Sequence, residues 1–167
     1  MIWIRRFFWL ELLIAAVSLA VGYAISGWWI ASGVVIFLGA VWAAVRFRGG
    51  SGLEGLLLYL FLFAAAAGFW VGSPGWLMLL TSVAALGAWD LDHFLQRLSE
   101  AEDIEFETGL GRDHLKRLFL VQGIGFAAGF LALIARPKIG FWWAVLLVLL
   151  AVIGLSRIIA YVRREAE

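Results

Sequence analysis

Residues 76–100 read WLMLLTSVAALGAWDLDHFLQRLSE. The first fourteen positions carry no charge, and then Asp90, Asp92, His93, Gln96 and Arg97 follow within eight residues. About 20 apolar residues at a rise of 1.5 Å each cross a hydrocarbon core of about 30 Å. Residues 76–95 therefore read as a transmembrane helix that carries ionisable groups at its far end. How those groups are accommodated decides what kind of bundle the chain can build.

The surroundings favour the membrane reading. The chain has 167 residues, of which 64% are hydrophobic and 15% charged, with a mean hydropathy of +0.97. A soluble domain is nearer half apolar and a quarter charged. A surface this apolar needs lipid as its solvent, and the ten tryptophans suit a membrane interface. A net charge of +1 points to no nucleic-acid partner. The absence of cysteine excludes disulfides, thiolate metal sites and cysteine nucleophiles together.

Six apolar segments are expected to span: about 7–25, 28–46, 53–71, 76–95, 115–135 and 141–161. The first follows Arg5 and Arg6 as a signal peptide would, but it is long and carries Glu11, which favours a retained anchor. Short connections rich in Gly, Ser and Pro, such as "GSPG" at 72–75, join the segments as antiparallel hairpins. Only 96–114 forms a longer polar connection. The expected fold is thus all-α: a single integral membrane domain, a polytopic bundle of six transmembrane helices in three consecutive hairpins. With the N-terminus inside, eleven of the thirteen Lys and Arg residues face the cytoplasm, and only Arg136 and Lys138 face out. The positive-inside rule therefore places both termini in the cytoplasm, in the plasma membrane of a prokaryotic cell.

Small residues mark close helix approach at 64–68, at Gly39-x-x-x-Ala43 and at Gly125-x-x-x-Gly129. Aromatic starts "GWW" at 27–29, "GW" at 75–76 and "GFWW" at 140–143 recur in alternate spans, as an outer aromatic belt would.

Depth brings three charges to one level. From Trp76, Asp90 lies about 21 Å across the core; from Trp142, Arg157 lies about 22 Å in; Glu11 lies about 8 Å beyond Arg6 on the inner side. An unpaired charge near a helix centre costs about 2.5–3.5 kcal/mol on the insertion scale, so Glu11, Asp90 and Arg157 are expected to face inward and share hydrogen bonds. Glu54 and Arg46, at span ends on the same side, extend this cluster.

Two further constellations follow from "DLDHFLQRL" at 90–98 and its partial echo "RDHLKRL" at 112–118. Asp90 and His93 share a helix face at i, i+3, and His114 approaches if the connection folds back. Asp90, His93 and His114, with Glu11, then form an oxygen- and nitrogen-rich set suited to a divalent metal such as zinc, iron or manganese. An interfacial hydrogen bond between aspartate and histidine explains the same residues without metal, so no cofactor is required. The connection itself concentrates Glu100, Glu102, Asp103, Glu105 and Glu107, a solvated stretch or a docking surface for a basic partner.

Three functions compete on these grounds. A non-catalytic subunit, assembly factor or scaffold fits short loops, small-residue packing faces and the lack of a nucleophile motif or phosphate loop. A small oligomeric proton- or ion-coupled transporter or channel would use Glu11, Asp90 and Arg157, although no span is broken by proline. A membrane metalloenzyme would use Asp90, His93 and His114. The first is the principal expectation, with the lipid bilayer and a membrane-protein partner or further copies of the chain as its contacts.

Overall fold

The computed structural model describes residues 2–48, 52–100 and 107–135. These residues form five α-helices: α1 (Ile2–Ile25), α2 (Trp29–Phe47), α3 (Glu54–Trp70), α4 (Gly75–Glu100) and α5 (Glu107–Ala135). Among the described residues there is no strand. Trp3–Ile25, Trp29–Phe47 and His114–Ala135 are each long and apolar enough to cross a membrane, and Glu54–Trp70 is a shorter apolar helix. The sixth expected segment, 141–161, lies outside the described residues.

Turn chemistry at the first and third helix ends agrees with the sequence. Gly27 and Gly72 both take φ of +80°, a left-handed conformation that glycine adopts without steric cost. After α1, Trp28 N–H bonds the Tyr23 carbonyl and Gly27 N–H bonds that of Ala24. After α3, Ser73 N–H and Gly72 N–H close on Gly68 and Phe69 in the same pattern. Both are Schellman caps, and they satisfy carbonyls that a helix end would otherwise leave unpaired.

Helix runs into the polar connection from both sides. α4 continues to Glu100 and α5 begins at Glu107, so most of 96–114 is helical. The apolar pattern ends where the hydrocarbon would, but Gln, Arg, Leu and Glu are good helix formers and no Gly or Pro interrupts 96–100. Polarity marks the edge of the membrane, and helix propagation ignores it.

Consecutive helices pack in pairs, α1 with α2 and α3 with α4, and a larger seam joins the two pairs. α1 and α4 share the most extensive interface, followed by α1 with α2 and α3 with α4, while α2 and α3 barely meet. The core consists of Phe8, Leu19, Trp42, Phe61, Met78 and Leu91, all fully buried, with smaller apolar residues around them. Met78 of α4 packs against Gly22 of α1 and Gly68 of α3, and Gly39 of α2 lies where a Cβ would come within 3.0 Å of the Ala16 Cβ. Absent side chains at these glycines let the backbones approach, which is how helices gain contact where lipid offers no hydrophobic drive. Of the small pairs named from sequence, Gly129 packs on Leu79, while Gly125 faces open space among the described residues.

Interhelical hydroxyls reinforce the α1 seam. The Ser18 and Thr81 hydroxyls share a hydrogen bond of 2.7 Å, the Tyr23 hydroxyl donates to the Ala64 carbonyl at 2.7 Å, and Ser26 donates to Ser73 at 3.0 Å. α5 leans on this unit along one stripe only. Gly111 meets Ile4, Phe119 packs edge-on against Phe7, Gly129 meets Leu79, and Leu133 reaches Gly75. α5 therefore runs parallel to α1 and antiparallel to α4, with Leu120, Val121, Ile124, Leu131 and Ile134 exposed on its other side.

Candidate functional site

The polar residues gather at the end of α4 that carries the "DLDHF" run, and the helix itself sorts them. Residues two apart on an α-helix differ by about 200° around the axis, so Asp90 and Asp92 leave α4 on opposite sides. Asp92 enters the bundle towards α2 and α3, and Asp90 turns to α5.

On the inner side, Asp92 is 0% exposed and Arg46 Nε stands 2.7 Å from its Oδ1. The N–H does not point at the oxygen, and among the described residues neither Asp92 oxygen accepts a hydrogen bond. The pair is therefore held by charge. Glu54, also buried, lies close enough to act on the same carboxylate. It is fully engaged: Oε2 accepts the Gly52 N–H at 2.7 Å and Oε1 accepts the Gln96 amide at 3.0 Å. Arg46 closes α2, Glu54 opens α3 and Gln96 stands one turn beyond Asp92 on α4, so this node ties three helix ends together.

On the outer side, His114 Nε2 lies 2.8 Å from Asp90 Oδ2, and the His114 ring lies flat on Phe94 with centroids 4.1 Å apart and an interplanar angle of 2°. The Asp90 side chain remains 40% exposed. A cavity of about 300 Å³ opens here, lined by Asp90, Phe94, Arg97 and His114.

A third node sits higher on α1. Glu11 is buried, and its carboxyl is hydrogen-bonded by the Gln122 amide of α5. Gln122 Nε2 also reaches the Val83 carbonyl of α4 at 3.3 Å. Both side chains lie over Gly87, whose missing Cβ leaves the room they occupy. Three helices meet there.

The expected grouping is thus redistributed. Glu11 meets Gln122, and Asp90 meets His114; Arg157 lies outside the described residues. Arg46 and Glu54 stand together, but around Asp92 rather than Asp90. His93 does not join His114. Its ring packs on Trp89 with centroids 4.5 Å apart, and its buried Nδ1 takes no hydrogen bond among the described residues. Asp90, His93 and His114 accordingly do not converge, and among the described residues no three His, Cys, Asp or Glu side chains are placed to hold a metal ion. Glu100 closes α4 and Glu107 opens α5, while Glu102, Asp103 and Glu105 lie outside the described residues.

Sequence reasoning passed over Asp92 and Gln122. Asp92 was legible in principle, since an acid spaced i, i+4 from Gln96 shares its face. Gln122 offered a fainter signal: a single amide in the apolar run LFLVQGIGF at 118–126, where a polar side chain needs a partner. No protein family model matches the chain, and no curated protein or solved structure matches it.

Proposed function

We propose that the chain is a non-catalytic integral membrane subunit or scaffold, a six-span bundle with both termini in the cytoplasm that serves to organise a membrane partner or further copies of itself. One observation carries this reading: several polar side chains along the apolar helices close on one another between helices. Asp92 meets Arg46, Glu11 meets Gln122, Ser18 meets Thr81, and Tyr23 meets a backbone carbonyl. Groups used this way hold helices in register, as interhelical hydrogen bonds do in lipid. The exposed apolar side of α5 supports the same reading, because a bilayer or a neighbouring span would cover it.

The test combines mass measurement and flux. Extraction of the chain from native membranes in mild detergent should yield a complex of defined stoichiometry by native mass spectrometry. Purified protein in liposomes should conduct protons and monovalent ions no faster than empty liposomes. A monodisperse monomer with ion flux that Glu11→Gln or Asp90→Asn abolishes would overturn the subunit reading in favour of transport. Stoichiometric zinc, iron or manganese in the purified protein, lost on His114→Ala, would overturn it in favour of a metalloenzyme.

A further inference from the structure

The cavity between α4 and α5 has a chemistry of its own, and its level rests on the membrane topology proposed above. Asp90, Phe94 and Arg97 are spaced i, i+4, i+7, a single stripe on α4, and His114 faces that stripe from α5. Its position along the helix sets its level. From Gly75, the first residue of α4, Asp90 lies about 22 Å and Arg97 about 33 Å along the axis, against a core of about 30 Å. His114 opens the apolar stretch His114–Ala135, so with α4 as a span of the proposed bundle the cavity straddles the membrane boundary, where phospholipid phosphates and their substituents reside.

Its lining carries one charge of each sign. Arg97 is exposed and, among the described residues, paired with no carboxylate. Asp90 uses Oδ2 for His114, and Oδ1 remains as an acceptor on a side chain that is 40% exposed. His114 is fixed twice, by that hydrogen bond and by its stack on Phe94, so the wall holding Asp90 is rigid. A purely anionic ligand would meet the Asp90 carboxylate, and a purely cationic one would meet the Arg97 guanidinium. A ligand with both a phosphate and an ammonium satisfies both walls. At about 300 Å³ the space suits a headgroup rather than a whole lipid.

We propose that this cavity holds the headgroup of a zwitterionic phospholipid, with the phosphate on Arg97 and the ammonium on Asp90. Guanidinium groups match phosphate oxygens in pairs, which a lysine in the same place would not do. The acyl chains would then lie beside α5, whose side facing away from α1 and α4 is apolar and exposed.

Native mass spectrometry and lipid titration of the full chain in detergent micelles test the assignment. Phosphatidylethanolamine, phosphatidylglycerol and soluble phosphoethanolamine are the three probes. The wild type should retain phosphatidylethanolamine about tenfold more tightly than phosphatidylglycerol, consistent with one added charge-assisted contact. Asp90→Asn keeps a hydrogen-bonding group for His114 and should erase that preference. Arg97→Gln, at an exposed position, should weaken both lipids about tenfold by removing the phosphate contact. Arg48→Gln, outside the cavity at the end of α2, should change neither. Equal retention of both lipids by the wild type, or an equal loss in Arg48→Gln, would overturn the proposal. Soluble phosphoethanolamine binding as tightly as the lipid would overturn the membrane source of the headgroup.

Discussion

Asp90 and Asp92 stand two residues apart on one helix and occupy opposite environments. Asp92 is 0% exposed and faces Arg46, whereas the Asp90 side chain is 40% exposed and bonds His114. Counting along the axis makes Asp90 the deeper of the two and hence the costlier to bury. The structure inverts that order, because rotation about the axis outweighs about 3 Å of rise. Depth sets the dielectric that a side chain would meet if it faced lipid. Azimuth decides whether it faces lipid, a neighbouring helix or a cleft.

The comparison breaks most readily on the inner side. Removing Arg46 as Arg46→Ala leaves the Asp92 carboxylate buried beside Glu54 without its cation, and should cost about 3–5 kcal/mol. Thermal unfolding in detergent would show it as a large fall in midpoint. The double variant Arg46→Met/Asp92→Leu removes both charges and should recover most of that loss, since buried ion pairs are often no more stable than apolar isosteres. A double variant as unstable as Arg46→Ala would mean that packing, and not the stranded charge, explains the single one.

An intermediate effect belongs to the node on α1. Gly87→Leu would push a side chain into the space held by Gln122 and Glu11, and overpacking of this kind costs about 1–3 kcal/mol. Because α5 leans on the bundle along one stripe, the loss should appear locally. Hydrogen exchange should rise around 118–126 while α2 and α3 keep their protection. Uniform exchange across all helices would show that α5 is bound into the core more firmly than its single stripe of contacts implies.

The smallest effect should come from the outer side. Asp90→Asn keeps a hydrogen-bonding group for His114 and removes a partly exposed charge, so stability should change by less than about 1 kcal/mol. The same unfolding measurement checks it against Arg46→Ala. Comparable losses in the two would erase the distinction between the two faces of α4.

Much of the helical content was readable from the chain. The starts and stops near 25, 47, 54, 70 and 75 follow from apolar runs bounded by Gly, Ser and Pro, and the left-handed Gly27 and Gly72 supply the physical reason. The α4 and α5 ends were not readable, because 96–100 carries helix formers beyond the apolar pattern. Nor was the α1–α4 seam, which joins residues about sixty positions apart, such as Ser18 and Thr81, or Gly22 and Met78. Hydrophobic periodicity identifies a buried face without naming its partner. The site followed the same division. Glu11, Asp90, Arg46, Glu54 and His114 could be named as polar residues in or beside apolar runs, but their pairing could not.

What the residues alone determined was the apolar helical character of the chain, since backbone groups in a long apolar segment are most simply satisfied within a helix. What only the tertiary structure decided was the company each polar side chain keeps. That depends on the rotation of each helix about its axis and on which helices touch, and both arise from packing between segments far apart in sequence. Through that rotation Asp92 joined Arg46 in the interior, and Asp90 was left with His114 at the edge of a cleft.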